Sequence, residues 1–556
     1  MSKNYVGIDL GTTESTVSVI EIEGRRDKPM DKLRTLDIYQ YNRQHQLDKN
    51  LKGLQSSIYI DRKNQVVYTG EYAKELYSSG NMPLHTIRSI KTRIGGESMI
   101  EVPIDNTNMI DKITSMFTAS QVKSYNMTEL SATLLKTIKN SIDKQCLGGI
   151  EELTITIPAG FDSDERNATI KAGEMAGFKN IHLLDEPTAV LLNLLNSEEA
   201  LNEISSDFFE EEKNIVVYDI GGGTLDISVA TVKEDNDDED FDVKIKGRSK
   251  RMEFGGDDID KYIASYFLEE FEKINPSIDE RTLEDQAKII SRIISHAQNH
   301  KVSFSKTIDK VLDNKRRRPR VKESVNFEII DNLKISDLTI TDKLLKDILS
   351  PIILENGILT NPLTKVLKAC RLKPSEIDLV VLTGGSAKFY LVAEVINKYF
   401  QGIEVIDFTE YNAVSKGAAI HSFNQNNEDL KKIQLQDVMS DSIYIKRKKG
   451  FDKLISHHQE PDSRGSYDFV FEESLDRLEL FLYYGSDGED KWKYKEINGV
   501  FYQLDRLYKK NEILTLDWEF TSNKILKLFY NGNELVNSNN NTKHNSELID
   551  LFELKG

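Results

Sequence analysis

Two short segments of this sequence share one pattern, and that pattern restricts the fold more than any other feature. The first reads YVGIDLGTTESTVSVIEI from Tyr5, and the second reads NIVVYDIGGGTLDISVATV from Asn214. When Asp9 is set over Asp219, each segment is an apolar strand, an aspartate, a turn of small residues and a second alternating strand. This is the pattern of a β-hairpin whose turn carries few side chains. Two copies, 210 positions apart, predict a duplicated structure.

The turns between these strands are typical of a phosphate site. Small residues let several backbone N–H groups converge on one anion, and threonine hydroxyls add further donors. An aspartate beside a phosphate is unfavourable unless a cation lies between them, and Mg²⁺ suits such a position because it keeps most of its waters. We therefore expect Asp9 and Asp219 to hold Mg²⁺ through water while the two hairpins clamp a nucleotide. The alternative is a pair of ordinary glycine-rich hairpins.

Two other nucleotide motifs are not found in the sequence. It contains no G-x-x-x-x-G-K-[ST] run, so a P-loop is excluded. The segment GGTLDIS leads into a strand pattern instead of a helix, and it lacks the glycine spacing of a dinucleotide fingerprint.

The chain up to about residue 425 alternates strand-like and helix-like segments, which predicts an α/β architecture. SATLLKTIKNSI and DERNATIKAGEMAGF are helical patterns, and ELTITIP is a strand that ends at Pro158. Glu186-Pro187-Thr188 opens a helix, because proline fits the first helical turn. EIDLVVLTGGSAKF is a buried strand and a Gly-Gly turn whose amides can approach a nucleotide, with a plain strand-to-helix loop as the alternative.

The composition changes after NQNNEDLKK at 424–432, which indicates a domain boundary. Beyond it, strand-like runs recur between turn-rich segments: SIYIKR, SYDFVFEE, LELFLYYG, EILTLDWEF and NKILKLFYNGNE. Residues 440–535 are therefore predicted to form a compact all-β module.

Charge and cysteine content limit the functions that the chain can have. The 73 basic and 91 acidic residues give a formal charge of −18, which argues against broad binding to nucleic acid or anionic membranes. No run approaches the roughly 18 apolar residues of a membrane span. The only cysteines are Cys146 and Cys370, and a strand pattern begins within five residues of Met1. We therefore expect no disulfide framework, no secretory signal and a cytoplasmic protein.

Eight segments occur in an order that is typical of one family: IDLGTTES, SIKTRIGG, TIPAGFDSDER, LLDEPTAV, YDIGGGTLDIS, FGGDDID, LTGGSAK and NAVSKGAAI. By these segments the chain resembles the heat-shock protein 70 (Hsp70) chaperones, which belong to the actin-like ATPase superfamily. The β module resembles the peptide-binding β-sandwich of that family, most clearly in LELFLYYGSDGED and LDWEFTSNKILKLF.

The resemblance implies an α/β actin-like ATPase fold of two duplicated, ribonuclease-H-like lobes at 1–425, followed by a small all-β sandwich domain. It implies a linker at 426–441 and a sandwich at 442–540 that binds a protein or peptide client. The polar run SNNNTKHNS predicts a flexible tail at 541–556. ATP or ADP with Mg²⁺ would be bound, and ATP would be hydrolysed in line, with positioning and charge neutralisation supplying most of the catalysis. The helical lid of the family is missing from the sequence, so we expect a groove that releases its ligand faster.

Site residues carry over from the resemblance position by position. The two phosphate loops are Gly11, Thr12, Thr13 and Glu14, and Gly221, Gly222, Gly223 and Thr224. The catalytic group comprises Lys91 at the terminal phosphate, Glu186 and Asp226 near the metal and the attacking water, Asp219 and Thr224. The adenosine side comprises Gln298, Lys301, Val302, Ser305, Gly384, Gly385, Ser386 and Lys388. Pro158 and Arg166 match a pair that couples the nucleotide to the substrate module in the family.

Three of these residues also have simpler interpretations. Without the match, Lys91 would be a surface lysine on a helix. Pro158 would be a proline that ends a strand, and Arg166 would be a surface arginine.

The sequence departs from the family where adenosine binds. Gln298 replaces a glutamate, and Val302 and Lys388 replace the two arginines that sandwich the adenine in many members. Because lysine lacks the planar face of a guanidinium group, we expect nucleotide binding with an altered affinity. Gly160 replaces an aromatic residue, and Tyr411 replaces an aspartate that does not lie at the phosphates, so hydrolysis is not directly threatened.

The β module departs further. KRKKG at 446–450 stands where the family has small and apolar residues over the peptide groove. Such a basic loop favours an acidic client segment, with a solvated loop as the alternative. The family also implies a co-chaperone or a nucleotide-exchange factor as partners, whereas neither nucleic acid nor a membrane is expected.

Three functions remain open from the sequence. The first is an ATP-hydrolysing chaperone-like protein whose nucleotide state controls the β-sandwich. The second is a nucleotide-dependent switch, or pseudo-chaperone, with a dedicated partner-docking domain and little turnover. The third is an actin-like small-molecule kinase or filament protein, against which the DEPTAV and TIPAGFDSDER segments and the appended β module count.

Overall fold

The computed structural model describes most of the chain, and the statements below concern the residues that it describes. These are residues 2–24, 29–96, 99–103, 122–204, 207–235, 240–313, 321–330, 333–427, 433–439, 441–457, 459–485, 494–496, 500–535, 548 and 552–555. Parts of the expected linker at 426–441 and most of the segment at 541–556 lie outside the described residues.

The first part of the chain is built on a sheet that contains the first hairpin. The strands of this part of the chain, not all of which belong to that sheet, are β1 (Lys3–Asp9), β2 (Glu14–Ile22), β3 (Leu33–Thr35), β4 (Ile38–Tyr41), β5 (Leu47–Leu51), β6 (Gly53–Gln55), β7 (Ser57–Asp61), β8 (Val66–Thr69), β9 (Thr86–Arg88), β10 (Met99–Pro103), β11 (Val122–Asn126), β12 (Ile150–Ile157) and β13 (Ile181–Asp185). The helices of this part are Glu71–Ser78, Met127–Gln145, Ser163–Met175, Glu186–Leu195 and Glu198–Glu203. The first sheet has the order β13-β12-β1-β2-β3, with β6 also paired to β2.

The second part repeats this arrangement around the second hairpin. Its strands are β14 (Lys213–Ile220), β15 (Leu225–Asp235), β16 (Asp240–Arg248), β17 (Lys322–Ile330), β18 (Leu333–Thr341), β19 (Leu379–Thr383), β20 (Glu404–Asp407) and β21 (Ile433–Gln436). Its helices are Gly256–Glu272, Leu283–Asp313, Asp342–Ser350, Asn361–Ala369, Tyr390–Tyr399 and Ala413–Gln425. The second sheet has the order β20-β19-β14-β15-β16-β21.

The two sheets share one pairing scheme. In each, the first hairpin strand pairs in antiparallel fashion with the second and in parallel with a strand that arrives later: β12 beside β1, and β19 beside β14. The predicted repeat in sequence is therefore a repeat in topology. Among the described residues, no helix is both long and apolar enough to cross a membrane.

Local sequence signals explain where several helices begin. The Asn126 side chain accepts the Glu129 N–H at the start of Met127–Gln145. Asp162 and Glu165 form a reciprocal capping box at the start of Ser163–Met175. Pro187 lies in the first turn of Glu186–Leu195, as the sequence predicts.

The last part is all-β, as the sequence predicts. We call strands β22 to β31 the β domain. They are β22 (Ser442–Arg447), β23 (Gly450–Ile455), β24 (Ser463–Val470), β25 (Leu475–Leu480), β26 (Leu482–Gly485), β27 (Lys495–Glu496), β28 (Val500–Tyr508), β29 (Ile513–Phe520), β30 (Leu526–Tyr530) and β31 (Asn533–Glu534). They form sheets with the orders β23-β22-β26-β27, β24-β29-β30-β31 and β25-β28 around a shared apolar core.

The end of the described chain differs from the expected flexible tail at 541–556. A strand, β32 (Glu553–Lys555), follows the β domain in sequence but pairs in parallel with β8 of the first part. Leu548 and Phe552 are buried in the core of the first part, next to residues of the first sheet. The polar composition of 536–547, rich in asparagine and serine, gave no sign of these contacts.

The helix Ala413–Gln425 packs closely against both β1 and the helix Glu186–Leu195. A Cβ on Gly7 would overlap backbone atoms of Ser415 and Ala419, and one on Gly417 would overlap the backbone of Ala189. Glycine therefore permits the close approach of backbones that joins the end of the second part to the first sheet.

Gly7→Ala is expected to destabilise the protein, because the new methyl group meets backbone atoms that cannot rotate away. Overpacking of this kind costs about 1–3 kcal/mol. Thermal unfolding, followed by circular dichroism, should show a first transition with a lower midpoint temperature. Gly24→Ala is the matched control, since a Cβ there meets nothing within 4 Å; an equal effect of both changes would contradict the packing argument.

Candidate functional site

A cavity of about 320 Å³ lies between the two hairpin turns. Most of the residues predicted for the nucleotide line it: Asp9, Gly11, Thr12, Thr13, Glu14, Glu186, Asp219, Gly221, Gly222, Thr224, Gln298, Lys301, Val302, Gly384, Gly385, Ser386 and Lys388. Gly223, Lys91, Asp226 and Ser305 lie behind these residues and contact them. The structure thus brings the predicted phosphate loops, carboxylates and adenosine side into one cavity.

The two turns touch each other through their smallest residues. A Cβ on Gly222 would overlap the hydroxyl oxygen of Thr13, and a Cβ on Gly223 would lie 2.8 Å from the Cγ2 atom of Thr12. The Thr13 hydroxyl is buried and has no hydrogen-bond partner among the described residues. A buried polar atom without a partner is costly, so this hydroxyl favours a polar ligand at the loop.

A third element fixes the direction of the second turn. The carbonyl oxygen of Gly221 accepts the Gly256 N–H at 3.0 Å and the Ser386 hydroxyl at 2.7 Å, and that of Gly222 accepts the Asp257 N–H at 2.7 Å. In a trans peptide the next N–H points opposite to the carbonyl. The N–H groups of Gly222 and Gly223 therefore point away from these donors, as an anion-binding turn requires.

Four carboxylates surround the phosphate side of the cavity: Glu186, Asp219 and Asp226, which are buried, and Asp9, which is half-buried. The Thr156 hydroxyl donates to Asp9 Oδ1 at 3.3 Å, and Asp226 stands directly opposite Asp219 in the hairpin register. Burial and the nearby Glu186 charge raise the pKa of Asp9 and of Asp226 to about 7, and the pKa of Asp219 well above its ordinary value. So many carboxylates with little compensating charge favour a bound cation.

Lys91 supplies one positive charge to this group. It lies in a 3₁₀ turn, Lys91–Arg93, and its Nζ atom forms an ion pair with Glu186. Its side chain is only 4% exposed, so the interpretation as a surface lysine on a helix is wrong. Its charge lowers the pKa of Asp9, Asp219 and Asp226, but burial and Glu186 outweigh it.

The residues present fit a hydrated cation between the two hairpins. Among the described residues, no three histidine, cysteine, aspartate or glutamate side chains enclose a metal ion by themselves. Mg²⁺ takes few direct protein ligands and retains several waters. Its coordination by Asp9 and Asp219 through water stays a prediction, supported by the position of both carboxylates in the lining of the cavity.

The adenosine side has partners of its own. Lys301 Nζ donates to the Gly256 carbonyl at 2.9 Å and lies 2.8 Å from Asp260 Oδ1, whose pKa burial raises to about 6. Ser305 does not line the cavity; its hydroxyl donates to the Lys388 carbonyl at 2.7 Å and accepts the Tyr390 N–H at 3.0 Å. Ser305 therefore holds the turn that carries Lys388.

Tyr411 is a cavity residue that the sequence analysis placed away from the phosphates. It lines the same cavity, and its hydroxyl donates to Glu14 Oε1 of the first phosphate loop at 3.1 Å. A Cβ on Gly53 would overlap the Tyr411 hydroxyl oxygen, so this close contact depends on the glycine. The only sign in the sequence was the replacement of an aspartate by a tyrosine. Other lining residues that were not predicted are Thr16, Gly256, Asp257, Thr383, Thr409, Glu410 and Val414.

Pro158 and Arg166 connect the cavity to a buried group of charges. Pro158 follows β12, and the N–H of the next residue, Ala159, donates to Asp226 Oδ1 at 2.9 Å. Arg166 is buried, so it is not a surface arginine; it donates to Asp185 Oδ1 at 2.9 Å. Asp185 directly precedes Glu186 in the sequence.

Five charged residues from three parts of the chain meet at Asp185. We call this set the interdomain charge cluster: Arg166, Asp185, Arg248, Asp437 and Lys524. Arg248 Nη1 lies 2.6 Å and Lys524 Nζ 2.9 Å from Asp185 Oδ2, and both cations also pair with Asp437. Burial alone would raise the pKa of Asp185, but the charges of Arg248, Lys524 and Arg166 lower it below its ordinary value.

The cluster joins the β domain to the first two parts of the chain. Lys524 precedes β30, and Asp437 follows β21, which pairs in parallel with β16 at the edge of the second sheet. At the rim, the Tyr484 hydroxyl accepts the Ser163 N–H at 2.8 Å, and Asn523 Oδ1 accepts the Leu183 N–H at 2.8 Å.

A family model described as "Hsp70 protein" matches residues 52–471. A chaperone protein DnaK of Thermosipho africanus is 25% identical over 491 residues, which are 87% of this chain and 70% of the relative. The one of Thermotoga petrophila is 26% identical over 487 residues, 86% of this chain and 70% of the relative. The one of Mycoplasmoides gallisepticum is 27% identical over 403 residues, 71% of this chain and 56% of the relative.

The chain belongs to the Hsp70 family. Its mixed α/β parts and following β domain agree with that membership. The relatives support an ATP-binding function of the chaperone type.

Gly222→Ala is expected to weaken nucleotide binding about 5- to 150-fold, because the methyl group must push the second turn away from Thr13 at a cost of about 1–3 kcal/mol. Gly221→Ala is the matched control in the same turn, since a Cβ there has its nearest contact at 3.8 Å. Titration with a fluorescent ATP analogue measures both. Equal losses for the two variants would mean that the contact between the turns is not what shapes the site.

Proposed function

We propose that this protein binds and hydrolyses ATP, and that its nucleotide state controls a β domain that binds protein or peptide. The observation that carries the proposal is the meeting of two duplicated hairpin turns over four carboxylates, three of them buried, and Lys91. The proposal includes an actin-like ATPase fold of two duplicated lobes at 1–425, a linker at 426–441 and a sandwich domain at 442–540.

Each residue of the cavity has a role in this proposal. The turn N–H groups and threonine hydroxyls hold the phosphates, and Asp9 and Asp219 orient a hydrated Mg²⁺ that neutralises phosphate charge when bound. Lys91 stands at the terminal phosphate, where its cation stabilises charge that develops during transfer. Glu186 and Asp226 orient the attacking water, with Thr224 beside them in the second turn.

The adenosine side supports nucleotide binding without a guanidinium sandwich. Val302 and Lys388 both line the cavity, and the methyl groups of valine can pack against a purine while lysine offers its stem. Gln298 supplies an amide in place of a carboxylate, and Lys301 is already engaged with Asp260. This set favours adenosine binding with polar contacts that differ from those of the family.

The interdomain charge cluster supports control of the β domain by the nucleotide. Asp226 accepts the Ala159 N–H, and the carbonyl of Phe161, two residues further on, accepts Arg166 Nε of the cluster at 3.1 Å. Asp185 of the cluster is the neighbour of Glu186, so a short run of chain links each catalytic carboxylate to the cluster. A buried ion pair depends strongly on geometry, because each charge has lost its water. A small shift of Glu186 would therefore change the pairing of Asp185 with Lys524.

A second candidate function is a nucleotide-dependent switch with a dedicated partner domain and little turnover. The basic loop at 446–450 already has acidic partners within the chain: the Lys448 N–H donates to Glu472 Oε2 at 3.2 Å, and its Nζ atom lies 3.2 Å from Glu473. Arg447 lies 4.4 Å from the centre of the Phe469 ring and donates to the Val470 carbonyl. This arrangement favours a selective partner over a general peptide client. The third candidate, a kinase or filament protein, has no such support.

Lys91→Ala is expected to lower the single-turnover rate of ATP hydrolysis by roughly 10²-fold or more, because a buried charge at the reacting phosphate is lost. Nucleotide binding should change much less. The measurement is conversion of radiolabelled ATP by excess protein with Mg²⁺. Lys63→Ala, an exposed lysine in a turn, is the control and should keep the parental rate.

Two results would change this proposal. If the parental protein binds ATP with Mg²⁺ but shows no turnover, the switch function replaces the enzyme. If neither ATP nor ADP binds, both functions fail.

Lys524→Met is expected to release the β domain, because it leaves the buried Asp185 and the half-buried Asp437 with less positive charge, at a cost of about 3–5 kcal/mol. Hydrogen exchange should then rise across β21, the linker strand paired to β16. Lys527→Met is the control, since Lys527 is exposed and pairs only at 3.8 Å with Glu534. Unchanged protection of β21 in Lys524→Met would contradict the role of the cluster in docking.

A further inference from the structure

A strand from the far end of the described chain is added to the first part of the molecule. β32 pairs in parallel with β8, with Glu553 opposite Val66 and Lys555 opposite Tyr68. The Glu553 N–H also donates to the Gln65 carbonyl at 2.8 Å. The sheet has the order β32-β8-β7-β9, so β8 would be its edge strand without this addition.

Two apolar side chains anchor the added segment. Leu548 is fully buried and Phe552 is 6% exposed, and both belong to the core of the first part. The Leu548 N–H donates to Glu129 Oε1 at 3.2 Å, near the start of the helix Met127–Gln145. Leu548 and Phe552 are four positions apart, so the site recognises two apolar residues followed by a short strand.

A buried arginine forms the floor beneath Phe552. The Arg62 guanidinium carbon lies 5.5 Å from the centre of the Phe552 ring, and Arg62 donates a hydrogen bond to the Tyr125 hydroxyl. Arg62 is 1% exposed, which is rare for arginine. A desolvated guanidinium over an aromatic face is a specific contact, so this pocket favours an aromatic residue at position 552.

We propose that the edge of β8, with the pockets for Leu548 and Phe552, is a strand-addition site, and that Leu548 and residues 552–555 of the same chain occupy it. Strand addition combines main-chain hydrogen bonds with pockets for particular side chains, and both are present here. Covering an exposed strand edge also removes a template for unwanted pairing.

The site gives the β domain a second attachment. The chain is fixed before the N-terminal end of the β domain, where β21 pairs with β16 in the second sheet. It is fixed again after the C-terminal end, where β32 pairs with β8. Residues 536–547 separate β31 from Leu548, and 12 residues span at most about 45 Å. The β domain can therefore leave its docking surface only within that reach unless β32 detaches.

Occupation within the chain does not need high intrinsic affinity. A short linker gives a local concentration in the millimolar range, so a segment with a dissociation constant of about 10 μM fills the site almost completely. The same segment supplied as a free peptide must compete with that local concentration.

The first experiment uses the full chain and a fluorescent peptide with the sequence of residues 545–556. The unmodified chain is expected to bind this peptide weakly, because the site is filled. The double variant Leu548→Asp/Phe552→Asp empties the site and should bind the peptide about 100-fold more tightly. Leu147→Asp, at a residue that is 80% exposed, is the control and should bind as weakly as the unmodified chain.

A peptide with the same two aspartate substitutions tests the pockets and should not bind the double variant. If the double variant keeps its circular dichroism spectrum and ATP affinity but does not bind the unmodified peptide, the proposal is overturned. Equal peptide affinity of the unmodified chain and the double variant would overturn it as well.

The second experiment is independent of whether the double variant folds. Tyr68→Cys/Lys555→Cys places thiols at directly opposed positions and should form a disulfide within one chain on mild oxidation. Tyr59→Cys/Lys555→Cys is the control, one strand further away, and should not. A disulfide that joins two copies, detected by mass, would show that the segment occupies a second copy and would overturn occupation within the chain; no disulfide would overturn the pairing.

Discussion

Mutual repulsion among three buried carboxylates, Glu186, Asp219 and Asp226, and the half-buried Asp9 beside them is the constraint on which the rest of this structure depends. Asp9, Asp219 and Asp226 are fixed by strand register at the ends of two hairpins, so none can move apart without breaking a sheet. Burial and the charge of Glu186 raise their pKa values, and the single cation of Lys91 does not offset this. The fold therefore stores an unfavourable arrangement at the place where the proposed nucleotide and metal would relieve it.

The glycines of the second turn and the carboxylates of the cavity depend on one another. The backbone N–H groups that would bind phosphate and the carboxylates can share a cavity only if the backbones of the two turns come close together, which Gly222 and Gly223 permit. Glu186 of the cavity is also next to the interface, because Asp185, the residue before it, pairs with cations from other parts of the chain. A site and an interface thus lie on adjacent residues, and that proximity is the physical basis of the proposed coupling.

Local patterns predicted the hairpins with Asp9 and Asp219 and the helix that begins at Glu186, because each depends on neighbouring residues. The roles of Glu186 and Asp226 were predicted from the family resemblance. The interdomain charge cluster was not predictable, since Asp185, Asp437 and Lys524 carry no local signal and meet only in the folded chain. Tyr411 was noticed as a substitution, yet only the fold shows that it reaches Glu14. The pattern of β23 was missed because only Ile455 of its six residues is buried, so the strand shows no apolar alternation.

The two attachments of the β domain act together if both proposals hold. β21 is fixed to the second sheet and β32 to the sheet beside the first, so the β domain is held by both duplicated parts. Any rotation of one part against the other then changes the distance between the two attachments. Packed interfaces respond to such shifts by switching between discrete arrangements instead of deforming. A β domain tethered at both ends would therefore sense closure of the cavity through a short movement, without travelling far from the rest of the protein.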